Sequence, residues 1–176
     1  MTHIQKIKKW VHVSVVWLLV SCNVYLGYEL KPGVDTQDKV EQKLGKPAQR
    51  WQNADGSSQL AYPRGPMGYR TYMVITGADG KLQKIVNVLD QKYFAQIQSG
   101  MSKDQVVRVL GPSNPNWTVY FERRDELVWE WRYCDDWNEA ARFNVLFDNS
   151  TGLVRSTLSL TESQRGLCGK LSHCSC

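Results

Sequence analysis

The feature that most constrains this chain is a pattern written twice. Residues 36–47 read TQDKVEQKLGKP and residues 102–112 read SKDQVVRVLGP. The polar first residue (Thr36, Ser102), a valine (Val40, Val106), a leucine (Leu44, Leu110) and a glycine (Gly45, Gly111) recur at an offset of 66 residues. Spacings of four place the valine and the leucine on one helical face, and a Thr or Ser ahead of the first turn accepts an otherwise orphan backbone N–H. Gln105 gives the second copy the spacing of a capping box, whereas Lys39 stands at that place in the first. Glycine followed by proline closes each helix and prevents it from resuming. One capped helix ending in Gly-Pro is common; two in register point to an internal duplication.

Strand signals follow each helix. Asn53 to Gly56 and Ala78 to Gly80 are turns between apolar flanks, so residues 49–51 and 59–62, then 69–76 and 82–89, read as hairpins. Residues 63–68, PRGPMG, form a loop. Residues 91–99 place Tyr93, Phe94 and Ile97 at helical spacing, so a helix is expected there. The second half repeats the order, with strands expected over 117–121, 127–133, 142–147 and 153–160. In 128–133, Trp129, Trp131 and Tyr133 alternate with Glu130 and Arg132, giving one aromatic and one charged face. The fold class expected is α+β, two tandem helix-plus-antiparallel-sheet units over 33–90 and 91–161. At about 65 residues a single core is marginal, so the two are expected to share one compact body.

The N-terminus has the layout of an export signal. Lys6, Lys8 and Lys9 precede a largely apolar run from Trp10 to Val20, too short to span a bilayer as a helix, and Ser21 precedes Cys22. Leu19-Val20-Ser21-Cys22 resembles the lipobox of bacterial lipoproteins, which implies a signal peptide over 1–21, lipidation of Cys22 and a tether over 22–32. Removing 1–21 takes three lysines and no acid, so 19 basic residues remain against 17 acidic and the formal charge falls from +5 to +2. Little positive field is left to attract nucleic acid, and no such partner is expected.

Gly100 to Val106 with Leu110-Gly111-Pro112, preceded by Tyr93 to Ile97, resembles the signature of the small outer-membrane lipoproteins called SmpA/OmlA, or BamE. A weaker copy lies at 33–47, and the doubled layout is also similar to that of β-lactamase-inhibitory proteins. The resemblance implies a lipid-anchored protein at the periplasmic face of the outer membrane that supports β-barrel assembly by touching protein partners and lipid. The inhibitor-like layout implies, as the alternative, a protein that caps a periplasmic enzyme.

Catalysis is not expected. His3 and His12 lie in the signal and His173 in the C-terminal tail, which leaves no imidazole in the body to serve as a base. Asp125-Glu126 and Asp135-Asp136 read as solvated turn acids, and no cofactor is implied. Cys134, Cys168, Cys174 and Cys176 are even in number, which in an oxidising compartment allows three disulfide pairings. Of these, Cys134 with Cys168 is the first to consider. A metal site using His173, or a tail over 162–176 without a role, are the other readings. Most aromatics are expected to fill the second core, with Trp117, Tyr120, Phe121 and Trp137 as candidates for a partner-binding face.

Overall fold

A computed structural model of the chain describes residues 29–65, 67–170 and 174–176. The export signal, Cys22 and most of the tether lie outside the described residues, as does His173.

Helix α1 (Gln37–Leu44) starts where Thr36 accepts a hydrogen bond from the Lys39 N–H and ends at Gly45, whose φ is +84°. Four antiparallel strands follow in the order β1-β2-β3-β4: Gln49–Gln52, Ser58–Pro63, Thr71–Thr76 and Leu82–Asn87. Residues 91–94 form a single turn, α2 (Gln91–Phe94), capped by Asp90. Helix α3 (Lys103–Leu110) carries the full capping box: Ser102 Oγ accepts from the Gln105 N–H, and Gln105 Oε1 accepts from the Ser102 N–H at 2.8 Å. A second antiparallel sheet follows in the order β5-β6-β7-β8, from Val119–Phe121, Glu126–Cys134, Ala140–Asp148 and Val154–Thr161.

Three expectations are corrected. The fold is a sheet structure and not an α+β body of two helix-plus-sheet units, because among the described residues eight strands in two sheets carry it and α-helix is confined to two eight-residue segments and one four-residue turn. The helix expected over residues 91–99 stops at Phe94, since the Gln96 and Ile97 N–H groups bond back only three residues, to Tyr93 and Phe94. Trp117 ends a 3-10 turn (Pro115–Trp117) and does not begin a strand.

The sheets are separate, and each buries the face nearest its helix. Val40 of α1 packs with Leu60, Tyr62, Val74 and Leu82 on the first sheet. Val106 and Leu110 of α3 pack with Trp131, Tyr133, Phe143, Val145 and Phe147 on the second. The first sheet's other face, lined by Ala61, Met73 and Val88, is filled by Tyr93, which also touches the second core. The end of α3 seals the junction. Gln59 Nε2 donates to the Arg108 carbonyl at 2.6 Å, and Gly111 lies against Ala61 and Thr71. The α2–α3 segment therefore has a sheet on either side, while no α-helix among the described residues covers the outer face of the second sheet.

Candidate functional site: the outer face of the second sheet

Strand alternation decides which side chains reach that outer face. Because Trp129, Trp131 and Tyr133 point to the core, Glu126, Val128, Glu130 and Arg132 point away from it. Register places Val119 opposite Val128 and Val128 opposite Leu146, then Glu130 opposite Asn144 and Asn144 opposite Leu158, then Arg132 opposite Arg142 and Arg142 opposite Leu160. An apolar row thus lies beside a polar one.

The polar row is a closed ionic cluster. Arg142 donates from Nη1 to Glu130 Oε1 and from Nε to Glu162 Oε1, each at 2.6 Å. Arg132 holds Glu162 with two bonds, at 2.6 and 2.7 Å, and Arg165 donates to the second Glu130 oxygen. The Arg142 guanidinium also stacks 4.1 Å from the centre of the Trp117 ring. Glu130, Arg142 and Glu162 are all buried, which a charge tolerates only when paired. The hydrogen bonds from Arg132 and then Arg142 hold the Glu162 carboxyl below its ordinary range, although burial pushes the other way.

Beside the cluster opens a trench of about 240 Å³, lined by Trp117, Val119, Phe121, Val128, Leu146, Leu158 and Leu160, with Arg124, Glu126, Glu130, Asn144 and Arg165. Val119, Phe121 and Leu158 are exposed along it. Arg124 lies 4.7 Å from the centre of the Phe121 ring and 2.9 Å from Glu126 Oε1, without hydrogen-bond geometry in the second contact. A neighbouring cavity of about 270 Å³ at the junction of the halves shares Trp117 and Glu130 with the trench.

The four aromatic candidates separate. Trp117 and Phe121 line the trench. Tyr120 sits on the opposite side of β5, across from Leu127, and its hydroxyl donates to Asp125 Oδ1 at 2.9 Å. Trp137 is 87% exposed, but it stands in the β6–β7 turn, at the far end of the sheet from Phe121. Of the acids expected as solvated turn residues, Glu126 is instead a buried residue of β6, while Asp125 and Asp135 hold turns. Asp125 accepts from Ser150 and then Tyr120, which hold its carboxyl below the usual carboxylate range, and Asp135 Oδ1 accepts from the Trp137 and Glu139 N–H groups.

The cysteines form two disulfides, Cys134–Cys176 and Cys168–Cys174, which corrects the pairing of Cys134 with Cys168. The tail returns to the start of β7, where the Ala140 N–H donates to the Cys174 carbonyl at 2.7 Å, so its last residue and not Cys168 reaches Cys134. With all four thiols paired, none is free to bind a metal as thiolate, and no cluster of three or more His, Cys, Asp or Glu side chains gathers among the described residues.

No family model, curated protein or solved structure matches the chain.

Sequence reasoning missed the ionic cluster. Its signal was present in Glu130 and Arg132, opposite charges two apart on one strand face, but the residues that bury them, Trp117 and the segment around Glu162 and Arg165, are remote in sequence.

Proposed function

We propose that the protein is a non-enzymatic binding protein of the outer-membrane assembly type. It is exported, anchored at the periplasmic face through lipid on Cys22, and docks a protein component of the barrel-assembly machinery in the trench on the outer face of the second sheet. The observation that carries this reading is the exposed apolar strip of Val119, Phe121 and Leu158 on a sheet face that no α-helix among the described residues covers, beside a buried ionic cluster that fixes Trp117. Removing apolar area from water contributes about 25 cal/mol per Å², and Trp and Arg at the rim are residue types that dominate binding hot spots. Glu130 and Glu162 are committed to ion pairs, and Asp125 and Asp135 to turns, so these acids hold structure. Two disulfides support an oxidising compartment. No described helix is long and apolar enough to cross a membrane, and attachment in this reading comes from the acyl chains, of which more than one is needed for stable anchoring.

The test uses substitutions in the full chain. Phe121→Glu and Val119→Glu place charge in the strip and are expected to reduce co-purification with barrel-assembly components at least tenfold, whereas Val34→Glu, on an exposed residue of the first half, retains it. A palmitate analogue labels the wild type and not Cys22→Ser. Retention of the partner by Phe121→Glu removes the trench from the reading, and equal labelling of both proteins removes the anchor.

A further inference from the structure

Strand β8 is an edge, and its two ends are closed differently from its middle. Hydrogen bonding shows which residues face outward. The Glu162 N–H donates to the Ala140 carbonyl, so by alternation Leu160, Leu158 and Ser156 direct their backbone groups to β7, while Thr161, Ser159 and Thr157 direct theirs away. At one end the Thr161 N–H donates to Gln164 Oε1 and its carbonyl accepts from the Arg165 N–H. At the other, past a register shift, the Val154 N–H donates to the Met101 carbonyl, and its own carbonyl accepts from the Gly100 N–H. Between these seals, no group among the described residues pairs with the outward N–H and C=O of Thr157 and Ser159.

Edges of this kind are ordinarily guarded by Lys, Pro or an inward-pointing charge. Residues 156–161, STLSLT, contain none of these. Unpaired donors and acceptors in this pattern fit one kind of occupant, the backbone of another extended strand.

We propose that the occupant is β8 of a second copy of this chain, paired antiparallel about a twofold axis through Leu158. The window is self-complementary about that residue. Thr157 of one copy falls opposite Ser159 of the other, and both direct their backbone groups outward, so the two such pairs exchange four hydrogen bonds and leave neither outward residue unpaired. A register shifted by one residue would set outward groups against inward ones. Leu158, 47% exposed in the single chain, meets its own copy across the axis in the pair type where side chains approach most closely. Charge also agrees. The open window ends short of both Arg155 and Glu162, so no like charges oppose within it. The two second sheets become one sheet of eight strands, with their outer faces on the same side. Pairing covers Leu158, one residue of the trench lining, and leaves Trp117, Val119 and Phe121 on the far side open; because the docking test substitutes Val119 and Phe121 and this one does not, the two readings fail separately.

The experiment reads register as well as association in the full chain. With Leu158→Cys, the two Cα atoms lie about 4.5 Å apart across the axis, within disulfide range. With Ser156→Cys they lie about 14 Å apart, beyond it. Leu158→Cys is therefore expected to give a cross-linked dimer under oxidation and Ser156→Cys none. Thr157→Pro removes only an outward N–H, keeps the β7 ladder, and is expected to lower the dimer fraction in sedimentation at least tenfold at an unchanged urea midpoint. Leu158→Lys, which leaves the backbone intact and opposes two charges, gives the same loss. A wild-type chain that sediments as a monomer, or equal cross-linking of the Leu158→Cys and Ser156→Cys variants, overturns the proposal; a monomer that still captures an extended peptide at this edge overturns it too, and assigns the edge to another protein's strand.

Discussion

Glu162 shows how one carboxylate couples the tail to the sheet. It accepts from Arg132 and Arg142, two strand residues, while lying just beyond the end of β8. Its carboxyl is held below its ordinary 4.5, first by the Arg132 hydrogen bond. The folded state therefore binds fewer protons than the unfolded chain near that pH. The stability this contributes is fully present above pH 4.5 and is lost as pH falls through the lower folded value. Asp148, lowered to about 2 by the Thr151 N–H and by Arg155, loses its share in the same direction, so the wild type weakens steadily in acid. Glu162→Gln is expected to be less stable than wild type at neutral pH, because two guanidinium groups lose their anion, and to lose less on going to about pH 3. Urea midpoints at the two pH values measure this; an equal fall in both proteins would show that Glu162 does not carry the linkage.

The two helices end alike but sit in different surroundings, and an added methyl group separates the two. Gly45 and Gly111 both combine positive φ with ψ near 180°, a region essentially confined to glycine, where a side chain costs roughly 1–3 kcal/mol. Around Gly45 nothing lies within 4 Å of a built Cβ; at Gly111 a Cβ would meet Thr71 Cγ2 at 2.7 Å, where α3 abuts the first sheet. Gly45→Ala is expected to cost only the conformational strain, and Gly111→Ala that strain plus the clash. Thr71→Ser, which deletes the offending methyl, is expected to recover the difference in a double-mutant cycle of urea unfolding. Equal costs at the two glycines would remove the close approach. The helix ends were legible because capping, apolar spacing and Gly-Pro are local. The eight strands were legible too; what misled at the level of the fold was the share given to helix, since a capped eight-residue segment reads as clearly as a long one and the helix expected over residues 91–99 is a single turn. The turn at residues 91–94 shows the limit of spacing: Phe94 and Ile97 both bury in the second core, and two three-residue turns bring them there as well as a helix would. Of the candidate site, Trp117 and Phe121 were legible as aromatics beside a strand. Which face they line depends on the β5–β6 register, which no local pattern states.

At the scale of the whole molecule, the C-terminal tail closes the second sheet. The Glu162 N–H bonds to Ala140, Ala140 to Cys174, Cys176 to Asn138, and Arg165 to Glu130, so the tail fastens to β7, to the β6–β7 turn and to the buried cluster. Disulfides at two scales reinforce it: Cys134–Cys176 spans a sequence separation of 42 residues and Cys168–Cys174 only 6. If each acts chiefly by restricting the unfolded chain, closure of the longer loop contributes about 3.9 kcal/mol and of the shorter about 2.2 kcal/mol. The longer bridge also holds the residues that bury Glu130 and Glu162, whereas the shorter is internal to the tail. The Cys134→Ala/Cys176→Ala pair is therefore expected to lower unfolding stability by more than Cys168→Ala/Cys174→Ala. It is also the pair expected to make the ionic cluster accessible, read as faster exchange of the Ala140 and Glu162 amides. Were the shorter bridge the costlier to remove, loop closure would not be the tail's contribution, and the burial of the charged row would rest on the strand pairing of β6 with β7 and on Trp117 alone.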